Sequence, residues 1–181
     1  MEFITGGSST RKGILRMNKK YKTGFYGGKF FPFHLGHLSC LQKMSDECEQ
    51  GVLIMFLNGK DEIEYNGKKY DWLSAEERIK RINSICRRFT NIRFTTLYCD
   101  VIYEGREVEE DGWEEEIKYI KAVVGSKFDV VYSSEKRHED FFKKSYPFAK
   151  HIMVDIDRKA FPISSTEIRE NGDELYKKWG V

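Results

Sequence analysis

Proline is scarce, three in 181 residues, and none falls in a run that would mark a flexible boundary. No stretch repeats at a period of 20 to 50 residues and none is of low complexity, which excludes a repeat array or two units joined by a linker. The four cysteines, Cys40, Cys48, Cys86 and Cys99, show neither CxxC nor Cys/His ligand spacing. That excludes a zinc module and a disulfide framework and leaves reduced, mostly buried thiols. Long apolar runs are missing as well: VLIMFL at 52–57 is far short of the roughly 20 residues that span a bilayer. No signal-peptide pattern precedes the first strand, so a cytoplasmic address with no membrane contact is expected. Nor is either charge in excess. With 31 Lys and Arg against 29 Asp and Glu, the net charge is +2, which argues against a nucleic-acid partner and confines any cationic site to a local pocket.

What is present is a globular composition, 40% apolar, 14% aromatic and 33% charged, in a chain long enough to bury a core as a single domain. The first sixteen residues, MEFITGGSSTRKGILR, lack an amphipathic period and precede a second methionine, Met17. Residues 1–16 therefore read as a leader of the kind a cloning scar encodes, and residues 17–181 as the domain. Within it, β-type runs at Thr23 to Tyr26, Gly51 to Leu57, Ile92 to Tyr98, Asp129 to Tyr132 and His151 to Val154 alternate with helical patterns or long connections. Such alternation predicts an α/β fold: an open, Rossmann-like parallel five-stranded sheet with helices on both faces.

The helices have individual signals. LSAEERIKRINSICRRF has a capping-box pair, Ser74 and Glu77, with Ile79, Ile82 and Ile85 three apart and a basic last turn. GWEEEIKYIKAVVG places three glutamates in its first turn, Ile117, Ile120 and Val124 on one face, and Gly125 as a stop. A further helix is expected from near His34 or Gly36 through Leu38, Leu41 and Met44, and a last one from about Asp173 to Trp179.

Ligands of open parallel sheets sit beyond the carboxyl ends of strands, near the point where strand order reverses. If TGFYG is the first, central strand, GGKFFPFHLGH (27–37) lies there. Gly27 and Gly28 would let the chain turn tightly, and Pro32 would resist helix until the following turn. His34 and His37, three apart, would share one face at the start of a helix, where free amides and partial positive charge suit a phosphate. Lys29 is near, and Gly36 keeps a side chain from between the rings. Unrelated surface or core histidines are the plain alternative. A metal pair is another, but no third His, Cys or carboxylate lies at ligand spacing, so no metal site is assigned.

The second stretch, FPISSTEIRENGD (161–173), offers Ser164, Ser165 and Thr166 at a helix start, with Arg169 one turn on. A simple cap would explain the hydroxyls. A cap with an arginine on the same face also makes an anion site. Lys29, His34, His37 and Arg169 together neutralise charge, and nucleotidyl transfer needs that and in-line alignment more than it needs an acid, a base or a covalent nucleophile.

Gly28, Phe30, Pro32, His34, Gly36 and His37 fill GxFxPxHxGH, and Ile163, Ser164, Ser165, Thr166, Ile168 and Arg169 fill ISxTxIR about 130 residues further on. Both patterns resemble the HxGH nucleotidyltransferase superfamily. The resemblance implies that Gly28, Phe30, His34 and His37 bind ATP, the histidines stabilising the pentavalent α-phosphorus, and that Ile163 to Thr166 with Arg169 hold the β- and γ-phosphates. Lys29, His34, His37 and Arg169 would be the catalytic set, and Mg²⁺ would come with the ATP.

From about Tyr26 to Trp179 the chain is most similar to nicotinamide mononucleotide adenylyltransferase domains of the bacterial NadR type. Glu77 and Arg78 resemble a helix start of that family, and Gly112 and Trp113 its GW pair beside the nicotinamide. YSSE, Tyr132 to Glu135, resembles its adenine-side strand end, implying ATP contacts from Ser133, Ser134 and Glu135. DIDRKAFPIS, with Arg158, resembles its DPxR segment. By this resemblance Lys29, Arg78, Trp113 and Arg158 would bind the acceptor, a small phosphate ester such as nicotinamide mononucleotide. Plain alternatives stand beside each: Trp113 as a packing residue, Glu135 as a helix cap, Arg158 in a surface ion pair with Asp155 or Asp157. EGREVEEDGWEEE (104–116) has eight acidic residues and one arginine; if it lines the acceptor pocket it favours a cationic acceptor. A cytidylyltransferase, a pantetheine-phosphate adenylyltransferase and a non-catalytic nucleotide sensor are the rival readings. Relatives often assemble, so a homo-oligomer is admitted, although no seam is visible in the sequence. No GxxxxGK[ST] kinase loop is present.

Overall fold

A computed structural model describes residues 19–57, 64–99 and 113–181. The expected leader, and residues 104–112 of the acidic stretch with Gly112, lie outside the described residues. Five parallel strands form the main sheet: β1 (Tyr21–Gly28), β2 (Cys48–Leu57), β5 (Ile92–Tyr98), β6 (Val130–Ser133) and β7 (Lys150–Met153), in the order β5-β2-β1-β6-β7. β3 (Glu64–Tyr65) and β4 (Lys68–Lys69) make a separate two-stranded hairpin. β1 is central, pairing Phe25 with Val52 on one side and with Val131 on the other. The order of connection reverses between β1 and β6, so the switch point lies above the carboxyl ends of those two strands.

Alternation along the strands sends side chains to two faces. Tyr26, Leu53, Met55, Leu57, Val130 and Tyr132 face α1 (Leu35–Glu47) and α2 (Ala75–Cys86), packing on Cys40, Leu41, Met44, Ile82 and Ile85. Phe25, Val52, Ile54 and Val131 face α3 (Trp113–Val124) and α4 (Glu139–Ser145), packing on Ile120, Phe128, Phe142 and Tyr146. Leu53 and Ile54 are at most 1% exposed; burying a side chain of that size contributes about 1.5–3 kcal/mol. A third cluster joins Trp72, Leu73 and Ile163 to α5 (Ser165–Asn171) and α6 (Asp173–Trp179). There the Trp72 ring stacks on Tyr70 and Tyr176, at 4.6 and 4.3 Å. Trp72 Nε1 also donates to Asp173 Oδ1 at 2.8 Å. All four cysteines are buried, and Cys40, Cys48 and Cys86 are free thiols. Among the described residues no helix is long and apolar enough to cross a membrane.

Three local expectations change. Gly27 and Gly28 do not form the turn: both belong to β1, and their missing Cβ atoms make room for rings, since one on Gly27 would lie 2.9 Å from Phe56 and one on Gly28 2.8 Å from Phe30. The left-handed conformation falls instead on Phe30, at φ 46°. At α2, Ser74 Oγ accepts from Glu77 N–H at 3.2 Å, but the Glu77 carboxylate turns to Arg81 at 2.7 Å rather than back to the cap, so half of the box forms. The last turn of α2 carries no basic residue, because the helix ends at Cys86 and Arg87 is its C-cap.

Candidate active site

The loop after β1 is built on its rings. Phe30 is 3% exposed and packs against Tyr26, Phe33 and His37, with centroids 5.2, 5.2 and 5.1 Å away. It is the floor under the second histidine. His34 is the N-cap of α1: its Nδ1 accepts from Gly36 N–H at 3.1 Å, and His37 Nδ1 accepts from His34 N–H at 3.3 Å. The two imidazoles therefore make the reciprocal pair that Ser and Glu make in an ordinary capping box. Their rings stack at 3.7 Å with 26° between planes. A Cβ on Gly36 would lie 3.0 Å from His34 Cε1, so the glycine lets that ring fold back over the helix start.

The caps also fix the tautomer. Each Nδ1 is an acceptor, so in the neutral ring the proton sits on Nε2, and each imidazole presents an N–H donor. Both rings are neutral at pH 7. Burial, aided by Arg158, lowers the His34 pKa to about 4 against a smaller opposing effect of Glu167. Burial, with His34 and Arg158 adding to it, holds His37 well below its ordinary range.

The carboxy-terminal stretch docks on the same loop. Ser164 caps α5, its Oγ accepting from Glu167 N–H at 3.1 Å. Ser165 Oγ donates to Pro32 O at 2.9 Å. Arg169 donates through Nη1 to Phe31 O and through Nη2 to Thr166 Oγ1, the latter at 3.1 Å. Its guanidinium carbon lies 4.9 Å from the Phe31 ring and 4.7 Å from the Tyr65 ring of the β3–β4 hairpin. Arg78, 7% exposed, donates to Leu73 O at 2.8 Å and Lys29 O at 3.0 Å and lies 4.8 Å over the same Phe31 ring. Two arginines thus hold the carbonyls of Lys29 and Phe31. Finally, Gly180 forms an antiparallel bridge with His34, which ties the helix start to the end of α6.

Two strand ends close the other side. After β6, Ser133 Oγ accepts from Glu135 N–H at 3.1 Å and donates to Glu135 O at 3.2 Å, making a tight turn. After β7, the Asp155 carboxylate accepts N–H bonds from Ala160 at 3.0 Å and Phe161 at 2.9 Å, and these hold its pKa below the usual range. That loop carries Arg158, whose Nη1 is 3.6 Å from Glu167 Oε2.

These pieces enclose a cleft of about 90 Å³ lined by His34, Gly36, His37, Ser134, Glu135, Val154, Asp155, Arg158, Phe161 and Ile163 to Thr166. The enclosed volume is well below the roughly 300–1,000 Å³ of a complete ligand pocket, so what is walled in is a space on the scale of phosphate groups. Of the residues anticipated from sequence, His34, His37, Ser134, Glu135, Arg158, Ile163, Ser164, Ser165 and Thr166 meet there. Gly28, Phe30 and Ser133 stand behind its wall. Lys29 is exposed and, like Arg78 and Arg169, is not among the lining residues; the arginines spend donors on loop carbonyls. The Trp113 side chain lies outside the described residues. Glu135 precedes a 3-10 turn (Lys136–His138) with no side-chain cap bond. Sequence reading missed Glu167, Asp155 and Gly180. Glu167 was findable, because Ser164 and Glu167 repeat the S-x-x-E spacing read at α2. Gly180 was not, since a backbone bridge leaves no side-chain signal.

A family model described as Cytidylyltransferase-like matches residues 25–171. A phosphopantetheine adenylyltransferase of Mycoplasma mycoides subsp. mycoides is 29% identical over 157 residues, covering 87% of this chain and 99% of that protein. The trifunctional NAD biosynthesis/regulator protein NadR of Escherichia coli is 25% identical over 84% of this chain, which spans only 37% of it. A crystal structure of NadR in complex with NAD and AMP-PNP shares the fold, with a TM-score of 0.61, 22% identity and coverage of 87% of this chain and 44% of that one. With its sheet order, the stacked imidazoles at the switch point and the family match across nearly all of the described domain, this chain belongs to the cytidylyltransferase-like family of nucleotidyltransferases.

Proposed function

We propose that the domain of residues 17–181 transfers AMP from ATP to nicotinamide mononucleotide, or its nicotinate counterpart, and releases pyrophosphate. One observation carries the reading: two stretches far apart in sequence meet at one cleft, the His34–His37 pair on one side and Ser164 to Thr166 on the other, joined by Ser165 Oγ on Pro32 O. In the reaction a phosphate oxygen of the acceptor attacks the α-phosphorus in line. The bond to the bridging oxygen breaks and its electrons leave with pyrophosphate. Negative charge gathers on the equatorial oxygens, and donors already in place there stabilise the transition state most. The neutral Nε2–H groups of His34 and His37 are such donors. Ser165 and Thr166 amides, in a first turn whose N–H groups lack intrahelical partners, and Arg158 suit the departing phosphates. Lys29, exposed on the loop after β1, and Arg169, which holds that loop, complete the cationic set.

Mg²⁺ belongs to this reading as the ion that shields the triphosphate. Such an ion would be bound mainly through nucleotide oxygens and water, with few protein ligands. The mononucleotide acceptor is supported by the resemblance to NadR-type domains. A second reading, phosphopantetheine as acceptor, is favoured by the match over 99% of the Mycoplasma enzyme. A cytoplasmic setting accords with either.

Pyrophosphate release from ATP or CTP with each acceptor separates the possibilities. Dinucleotide formed from ATP and nicotinamide mononucleotide supports the first reading. Turnover only with phosphopantetheine gives the second, and turnover only with CTP makes the base assignment wrong. Tight ATP binding with no pyrophosphate from any acceptor makes the chain a sensor instead.

A further inference from the structure

Glu167 has a normal place for a capping glutamate but an unusual neighbour, since its carboxylate stands beside a cation of the cleft. It lies on the first turn of α5, directly after Ser164, Ser165 and Thr166, which line the cleft. Its Oε2 accepts the Ser164 hydroxyl at 2.6 Å and lies 3.6 Å from Arg158 Nη1, and Ser164 and Arg158 both face the cavity. The side chain is itself half exposed, 51% against 42% for Arg158, so both partners of the pair are open to solvent and to a ligand. Arg158 sits in a left-handed conformation, φ 51°, on a loop that Asp155 pins through the amides of Ala160 and Phe161. The backbone that carries the cation is thereby fixed beside the cleft, while the anion stands at its solvent edge. We propose that Glu167 is an internal anion that competes with the nucleotide's phosphates for Arg158 and the Ser164 hydroxyl, and so sets the affinity of the site for a triphosphate.

The inference rests on the nucleotidyl-transfer reading of the same cleft. Phosphate oxygens are the ligand chemistry that would replace a carboxylate on a guanidinium and a hydroxyl. An exposed ion pair contributes little by itself, about 0–1 kcal/mol, so it gives way to a ligand carrying several charges. A ligand with one phosphate exchanges one partner for another and gains little. A triphosphate that also reaches the imidazoles gains more. The carboxylate therefore weakens single phosphates more than triphosphates, and it acts on binding rather than on the chemical step, since the histidine donors do not depend on it.

Glu167→Gln is the test. Gln keeps an oxygen for the Ser164 hydroxyl and a side chain suited to the first turn, and it removes only the charge. In steady-state pyrophosphate release the KM for ATP should fall about three- to tenfold, the scale of one removed like charge near a partly screened site. The kcat should change less than twofold. Inhibition by inorganic phosphate should strengthen by a larger factor than ATP binding does. In an Arg158→Ala background the same substitution should lower KM by less than twofold, because the contested cation is gone. An unchanged or raised KM in Glu167→Gln, or an equal fall in the Arg158→Ala background, overturns the proposal. Failure of the wild-type protein to release pyrophosphate at all defeats the underlying reading instead, and the two failures are distinguished by that control.

Discussion

His37 Nδ1 accepts the backbone N–H of His34 while the two rings stack at 3.7 Å. One side chain thus both caps a helix and faces the cleft, and His37→Ala should show both losses. The rate should fall at least ~10²-fold, the scale of one removed transition-state donor. Stability should fall by about 1 kcal/mol for the lost cap. A variant as active as the parent in pyrophosphate release would remove His37 from the chemistry.

Gly36→Ala separates geometry from chemistry. Its methyl group would stand 3.0 Å from His34 Cε1 and 3.1 Å from Nδ1, and the first turn of a helix accepts alanine readily. The ring must shift and its bond to the residue 36 amide weaken. We expect kcat/KM to drop at least about tenfold, since small misplacements are costly in preorganised sites, while the thermal midpoint changes by only a few degrees. Full activity with an unchanged midpoint would mean that the ring is not held as described.

Buried neutral histidine makes folding sensitive to mild acid. The His34 pKa is about 4 in the folded chain against an ordinary 6.5. As pH falls below 6.5 the unfolded chain takes up a proton that the folded chain refuses until about pH 4. The stability tied to this group is complete above 6.5 and is lost between 6.5 and 4, by roughly 3 kcal/mol. His37 acts in the same direction. His34→Asn retains a cap acceptor without titrating, so its urea midpoint should decline less across that window. Parallel curves for parent and variant would contradict the assignment.

Arg169→Lys keeps the charge but loses the planar group that lies against Phe31 and Tyr65 and donates to Phe31 O and Thr166 Oγ1. The two cations are not interchangeable in such a setting. The KM for ATP should rise about tenfold and the melting temperature should fall by a few degrees, roughly 1–2 kcal/mol. If the lysine variant matches the parent in both, charge alone is what this position supplies.

Much of this architecture was readable because its signals are local. Ile92–Tyr98 and Asp173–Trp179 are found where their patterns place them, and His34 does begin α1. The unbroken apolar run of β2 marks a strand buried on both faces, and the apolar spacing of α2 assigns the face that packs on it. Less legible were features that exist only after docking. The hairpin at 64–69 has strands of two residues each, too short for a period. The left-handed turn fell on Phe30 rather than on either glycine because its ring is held by Tyr26, Phe33 and His37. Sequence named Arg78 and Arg169 as cations; it could not show that loop carbonyls would claim their donors.

The bridge between His34 and Gly180 bears on when the site comes into being. A nascent chain emerging from the ribosome could align its first strands and seat its first helix early, since those contacts are near in sequence. The partner of residue 34 is synthesised long after it, and a contact across so long a stretch of polymer forms late. Competence to grip a nucleotide should therefore arrive after the sheet does, and chains halted before residue 180 should be folded in large part yet idle.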